Sequence, residues 1–273
     1  SHAHLDHSGY LPALARDGFS GPVHLTDHTA ALAEIVLQDS AHLLMEDTVH
    51  AAAHGYSRHA APRPLYTDAD VDRVVRQFRL TPFEQPTRLA EGVVITLRRA
   101  GHILGSSTVH VEMPTAGRSV LFSGDLGRPE HPLLRPPDAP PSADVIVVES
   151  TYGNRSHAGP KGQEVLASVI TRTVRRGGSV VIPAFAVDRT EIILMDLRAL
   201  RERNEIPDVP IYVDSPMALA ALAVYRKALR ERAPDVREDL DFSVDPFDIG
   251  NLHELRTTEQ SKSINDPKWP CII

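Results

Sequence analysis

Four short apolar runs between residues 93 and 148 constrain the fold more than any other feature. VVITL (93–97), TVHVE (108–112), SVLFS (119–123) and DVIVV (144–148) are rich in β-branched residues and are parted by Gly- and Pro-containing turns. Each reads as a strand. From residue 163 the pattern changes. An amphipathic helix over 163–176, with Val165, Val169, Ile170 and Val174 on one side, leads to a strand at 179–183. A helix at 189–203, a strand at 210–213 and a helix at 217–231 follow. Alternation of this kind predicts a parallel α/β unit. The change of pattern sets a domain border near residue 155, giving expected domains of 1–155 and 156–273.

Ahead of the strands, Gly9 and Pro12 mark a turn, and Gly18 to Gly21 mark another. Ala31, Leu32, Ile35, Val36, Leu43 and Leu44 recur at three- and four-residue steps, predicting a helix from Thr29 to about His54 capped by Thr26 or Asp27. A second helix is expected from an Asp68 cap, carrying Val71, Val74, Val75 and Phe78. The stretch GRPEHPLLRPPDAPPS (127–142) holds six prolines and reads as a loop or strap.

Charge and cysteine usage narrow the class. A formal net charge of −7 argues against a broad basic surface for gripping duplex nucleic acid. It leaves room for a nucleic-acid enzyme, because bound divalent ions can dominate a site's local charge. Cys271 is alone, so no disulfide closes within the chain and a reducing, cytoplasmic setting is expected. No signal-peptide pattern and no apolar stretch near the ~18 residues of a membrane span is evident.

The opening heptapeptide SHAHLDH packs His2, His4, Asp6 and His7 into six positions. On an extended segment His2 and His4 point the same way. Asp6 and His7 follow on a turn that can aim them at another side of one small volume. Imidazole with carboxylate suits zinc or a similar first-row divalent ion. A solvated polar loop is the bland alternative, and the density of ligands argues against it.

The HxHxDH spacing resembles the signature of the metallo-β-lactamase superfamily. AGHILGSS supplies His102 in a Gly-flanked turn, and LFSGDLGR supplies Asp125 after a strand. The resemblance implies that His2, His4 and His102 hold one metal, that Asp6 and His7 hold a second, and that Asp125 is shared. More narrowly, VVESTYGN with Glu149, IPAFAVDRTE and YVDSPMA look like motifs of the β-CASP branch, which processes nucleic acids, mostly RNA. SRHAAPRPLYT is similar to bacterial RNA-degrading members. Asp188 and Glu191 stand where the branch would have Gly and Gln.

The fold implied is a metallo-β-lactamase αββα sandwich, lacking its N-terminal strands and C-terminal part, with a partial inserted α/β β-CASP domain. The chemistry implied is RNA phosphodiester hydrolysis with two divalent ions, zinc first and manganese as the other option. A pair about 3.5–4 Å apart would activate a shared water. Asp6 would ligate and orient the nucleophile, and Glu149 would orient a histidine that protonates the leaving group. Arg189, Ser215 and Met217, at strand-to-helix loops, are candidate substrate contacts. The partner implied is single-stranded RNA with no membrane, with a homodimer as one option for the full-length protein. The alternatives are a DNA-directed nuclease or other ester hydrolase on the same scaffold, or a non-catalytic RNA-binding member.

The general-acid histidine and the last metal-ligand histidine of the branch have no counterpart here, so the chain reads as the middle of a longer protein. A segment of this kind is expected to fill the second metal site poorly and to cleave labelled RNA weakly. Turnover equal to that of the longer protein would contradict this.

Other clusters carry less. HAAAHGYSRH (50–59) places His50 and His54 at helical spacing, but Ala51 stands where an HExxH zinc helix needs glutamate. Arg172, Arg175 and Arg176 read as a solvated helix face. Tyr56 and Tyr152 are equally core aromatics or base-stacking platforms. GSVVIPAFAV lacks the pattern of a phosphate-binding Gly loop.

Overall fold

The computed structural model describes residues 1–89, 92–155 and 162–273. The expected domain border at 155/156 adjoins residues 156–161, which lie outside the described residues. The described chain divides into two compact units, Ser1–Glu149 with Ala233–Arg237, and Ser150–Arg232 with Glu238–Ile273.

The first unit is built on a five-stranded sheet ordered β3(Thr87–Arg88), β4(Val94–Arg99), β5(Ser107–Met113), β6(Arg118–Phe122) and β7(Val145–Val147). Pairing is antiparallel as far as β6, and β7 joins β6 in parallel. A parallel neighbour needs a crossover. Residues 123–144, with the Pro-rich stretch, make it without a helix, and the expected strap is found. Leu134 bridges Val236 on the returning segment, and Arg237 N–H donates to the Leu133 carbonyl at 2.9 Å. Val145, Ile146 and Val147 are apolar yet exposed.

Ahead of the sheet come α1(Leu5–Ser8), α2(Leu11–Arg16), β1(Val23–Leu25), α3(Asp27–His54), α4(Asp68–Val75) and β2(Phe78–Leu80). Thr26 caps α3, its hydroxyl accepting from Thr29 N–H at 3.2 Å. Leu32, Val36 and Leu37 bury its first half, whereas Leu43 and Val49 in its second half are exposed. Ala13, Ala15, Leu37, Ala41, Tyr66, Val71 and Val74 form a core between α2, α3 and α4.

Three expectations need correction in this unit. Pro12 is not a turn residue; it occupies the first turn of α2, where a missing N–H costs nothing. The cap of α4 is Thr67 rather than Asp68, with Thr67 N–H donating to Asp70 Oδ2 at 3.0 Å. Phe78 has the right helical phase but lies in β2, because residues 78–80 find backbone partners on β1 in parallel register.

The second unit alternates helix and strand: α5(Gly162–Arg175), α6(Arg189–Glu202), β8(Ile211–Val213), α7(Pro216–Glu231), β9(Leu252–Glu254) and α8(Thr258–Ser263). β8 and β9 pair in parallel, and Ile272 bridges both Ile211 and Val180 in parallel. The strand expected at 179–183 reduces to one bridge at Val180, with Ile182 N–H donating to the Ile273 carbonyl at 2.8 Å. Pro183, with no N–H to give, ends the ladder. Ser215 caps α7 by accepting from Ala218 N–H at 3.1 Å, with Pro216 at the first helical position. Leu194, Leu197 and Leu200 of α6 and Ala221, Leu222 and Tyr225 of α7 are buried. Among the described residues, no helix is long and apolar enough to cross a membrane.

Candidate metal centre

The opening segment is held in place by the start of β5. Ser107 donates from its N–H and its hydroxyl to the Ser1 carbonyl, at 2.8 and 3.1 Å. His4 then becomes the N-cap of the single-turn helix α1, its carbonyl accepting from His7 and Ser8 N–H groups at 3.0 Å each. Ser8 Oγ ties the turn back to the Ala3 carbonyl at 3.1 Å. The result puts Asp6 and His7 on a helical turn, while His2 and His4 precede it.

Two further loops complete the cluster. His102 sits on the turn between β4 and β5, where Ser106 Oγ accepts from the His102 and Ile103 N–H groups at 3.0 and 3.2 Å. Asp125 follows β6. Gly127 N–H donates to the Ala100 carbonyl at 2.8 Å, bringing the Asp125 loop against the His102 turn. A Cβ on Gly127 would lie 1.6 Å from the Gly101 carbonyl oxygen, so only glycine allows this approach.

His2 Nε2, His4 Nδ1, His102 Nε2 and Asp125 Oδ2 converge. His4 Nδ1 is 3.0 Å from His2 Nε2 and 3.3 Å from His102 Nε2. Asp125 Oδ2 is 3.7 Å from His2 Nε2 and 3.6 Å from His102 Nε2. The donor atoms of these four residues all lie within 4.8 Å of one another. Bonds of about 2.0–2.1 Å to a tetrahedral ion give ligand–ligand edges of roughly 3.3–3.4 Å, so the spacing fits one small divalent cation. Burial, then the neighbouring His7, His4 and His102, pushes the His2 pKa down to about 2. Its imidazole is therefore neutral, as a metal ligand must be.

The other oxygen of Asp125 looks elsewhere. Oδ1 is 3.2 Å from His7 Nε2, which is 3.6 Å from Asp6 Oδ2. One carboxylate thus faces a His-rich group on one side and an Asp/His pair on the other. Glu149 supports this loop: its N–H donates to Ser123 Oγ at 3.0 Å, and its Oε1 accepts from Leu126 N–H at 3.2 Å.

The hydroxyls of Ser106 and Ser107, and that of Ser1 at 3.1 Å from His7 Nδ1, support the group without belonging to the ligand motifs. The adjacent serines of GSS, directly after a candidate ligand turn, were the available signal. His50 and His54, exposed near the C-terminal end of α3, stack at 4.0 Å, and among the described residues they join no metal-binding group.

Residues 190–273 match the Beta-Casp domain family. The whole chain aligns with Ribonuclease TTHA0252 of Thermus thermophilus, 34% identical over 275 residues and spanning 58% of that protein. These matches agree with the resemblance to the β-CASP branch of the metallo-β-lactamase superfamily that the sequence motifs carry. Transcription termination factor FttA of Methanothermobacter thermautotrophicus is 30% identical, with the chain matching along its full length and spanning 41% of that relative. An RNase J-like protein of Methanocaldococcus jannaschii is 27% identical, with 58% of it spanned. The chain thus spans between two fifths and three fifths of these relatives.

Ser215 and Met217 fall inside the matched Beta-Casp region, and Arg189 immediately precedes it. Arg189 is exposed at the first position of α6, Ser215 is engaged as the α7 cap, and Met217 is half-buried in the first turn of α7. All three belong to the second unit, and none is a member of the His/Asp group.

Proposed function

We propose that this β-CASP chain carries the metal centre and part of the substrate-binding domain of an RNA-hydrolysing enzyme, using two divalent ions, zinc first and manganese as the other option. In this reading residues 1–155 are a partial metallo-β-lactamase core of the αββα type, and 156–273 are a partial β-CASP domain. The observation that carries it is Asp125, whose Oδ2 faces the His2, His4 and His102 group while its Oδ1 faces His7. The names of two relatives, a ribonuclease and an RNase J-like protein, support RNA as the substrate class.

Bound ions of this kind bring the pKa of water toward neutral and offset charge developing on a phosphodiester. The chain's own groups do the rest. His2, His4 and His102 contribute three ring nitrogens, and Asp125 ties the two halves of the centre together. Asp6, whose side chain is 77% exposed, stands beside His7 at the open edge. There its carboxylate can orient the attacking water and accept a proton. Glu149 holds Leu126 and so keeps Asp125 in place. Single-stranded RNA in the cytoplasm is the proposed substrate and setting, with Arg189, Ser215 and Met217 as contacts.

The test is cleavage of matched single-stranded RNA and DNA oligonucleotides by the full-length protein. RNA should be cut at least tenfold faster, activity should vanish with a chelator, and zinc should restore it. Equal cleavage of DNA would move the reading to a DNA-directed nuclease. Chelator-resistant cleavage would remove the metal mechanism.

A further inference from the structure

The peptide of Gly105 is gripped from both sides. Its carbonyl accepts from the hydroxyls of Thr26 and Thr29, at 2.7 and 2.8 Å. Its N–H donates to Asp235 Oδ2 at 2.6 Å. Gly105 has φ +80°, and a Cβ there would lie 2.4 Å from Thr29 N, so this position admits only glycine. Gly105 is three residues past His102 on the same turn, next to the Ser106 whose hydroxyl receives the His102 N–H.

Asp235 comes from 130 residues further along the chain. It lies on the short segment Ala233–Arg237 that follows α7 and packs as part of the first unit. Its carbonyl accepts from Arg135 N–H at 2.9 Å, and its side chain is only 7% exposed. Oδ1 faces the buried His28 ring, 3.8 Å from Nδ1. Burying a carboxylate is costly unless it is hydrogen-bonded, and the partner here is the backbone of the His102 turn. No hydrophobic role explains an acid at this place.

We propose that Asp235 is a positioning residue for the metal centre: its carboxylate fixes Gly105, with Thr26 and Thr29 opposite, and thereby sets where His102 presents its Nε2. The inference rests on the metal reading above. It adds that the geometry of the centre depends on a residue delivered from beyond α7, with no contact to the ion.

The test uses the 273-residue chain and metal alone. Zinc affinity is measured by competition with a chelator, and the Co²⁺ d–d absorption reports coordination geometry. Metal-free melting is recorded beside both. Outer partners of metal ligands typically govern affinity by ~10–100-fold. Asp235→Ala should therefore weaken zinc binding within that range and change the Co²⁺ spectrum. Asp235→Asn, which keeps an acceptor oxygen for Gly105 N–H, should recover most of the affinity and the wild-type spectrum. If Asp235→Ala does not fold, Thr29→Val is measured in its place with the same outcomes. Wild-type affinity and spectrum in the alanine variant, or a lowered melting temperature alone, would overturn the proposal. Failure of the wild-type chain to bind either metal would instead overturn the metal reading, and this inference with it.

Discussion

Replacing Asp125 with alanine is expected to abolish RNA cleavage by the full-length protein and to empty both halves of the metal centre, while leaving the sheet intact. Asp125 lies on the loop after β6 and is 29% exposed at its side chain. Its loss therefore removes charge and ligand atoms rather than a hydrophobic contact. Changes to outer partners of metal ligands cost ~10–100-fold. A carboxylate that faces both ligand groups should cost more, about 10³-fold or beyond in kcat/KM by the same scale. Four ring nitrogens would also be left crowded around no anion. Metal content and far-UV circular dichroism separate the two effects. Retained activity with metal lost, or a full metal complement without Asp125, would contradict the shared-carboxylate arrangement.

Glu191→Gln should stabilise the second unit, and the gain should depend on pH. Glu191 sits in the first turn of α6 with no exposed surface, and among the described residues no side-chain hydrogen bond or ion pair meets its carboxyl oxygens. Burial, reinforced by the charge of Asp188, pushes its pKa from 4.5 up to about 8. The folded chain therefore keeps this proton where the unfolded chain has released it. Stability is fully present below about pH 4.5, falls as pH rises, and is flat again above about pH 8. Each unit of the window is worth about 1.4 kcal/mol, so the total reaches several kcal/mol.

Glutamine is nearly isosteric with the protonated acid and cannot ionise. The variant should melt with the wild type near pH 4.5 and clearly above it at pH 8, with most of the slope removed. Parallel pH profiles for the two proteins would show that the buried carboxyl is not the cause. The neighbour Asp188, with φ +71° and its Oδ1 receiving the Tyr225 hydroxyl at 3.1 Å, shares this buried acidic corner. Both acids depart from the Gly and Gln that the resemblance leads one to expect.

Much of the architecture was legible because local pattern and tertiary need agree. The β-branched runs became β4 to β7, and the periodic runs became α3, α5, α6 and α7, all within a few residues of expectation. Disagreement arose where distant backbone decided the outcome. Phe78 left helical phase to pair beside Val23, and the 179–183 run kept only the bridge at Val180. β9 was missed because LHE has neither length nor alternation, and it is a strand only beside β8.

The candidate centre divides in the same way. Short motifs name its candidate ligands, because imidazole and carboxylate at tight spacing have few other uses. The parts that hold them are hydroxyls, glycines and one distant acid. Ser106, Ser107, Gly127, Thr26, Thr29 and Asp235 are common surface residue types, and only the closing of distant loops gives them work. No local pattern in sequence could mark Asp235 as a partner of Gly105.

The most direct test is anomalous diffraction at the zinc edge from crystals of the zinc-loaded chain. The account predicts a peak enclosed by His2, His4, His102 and Asp125, with any second peak beside Asp6, His7 and the other oxygen of Asp125. Zinc bound elsewhere, with those four side chains around no peak, would contradict it.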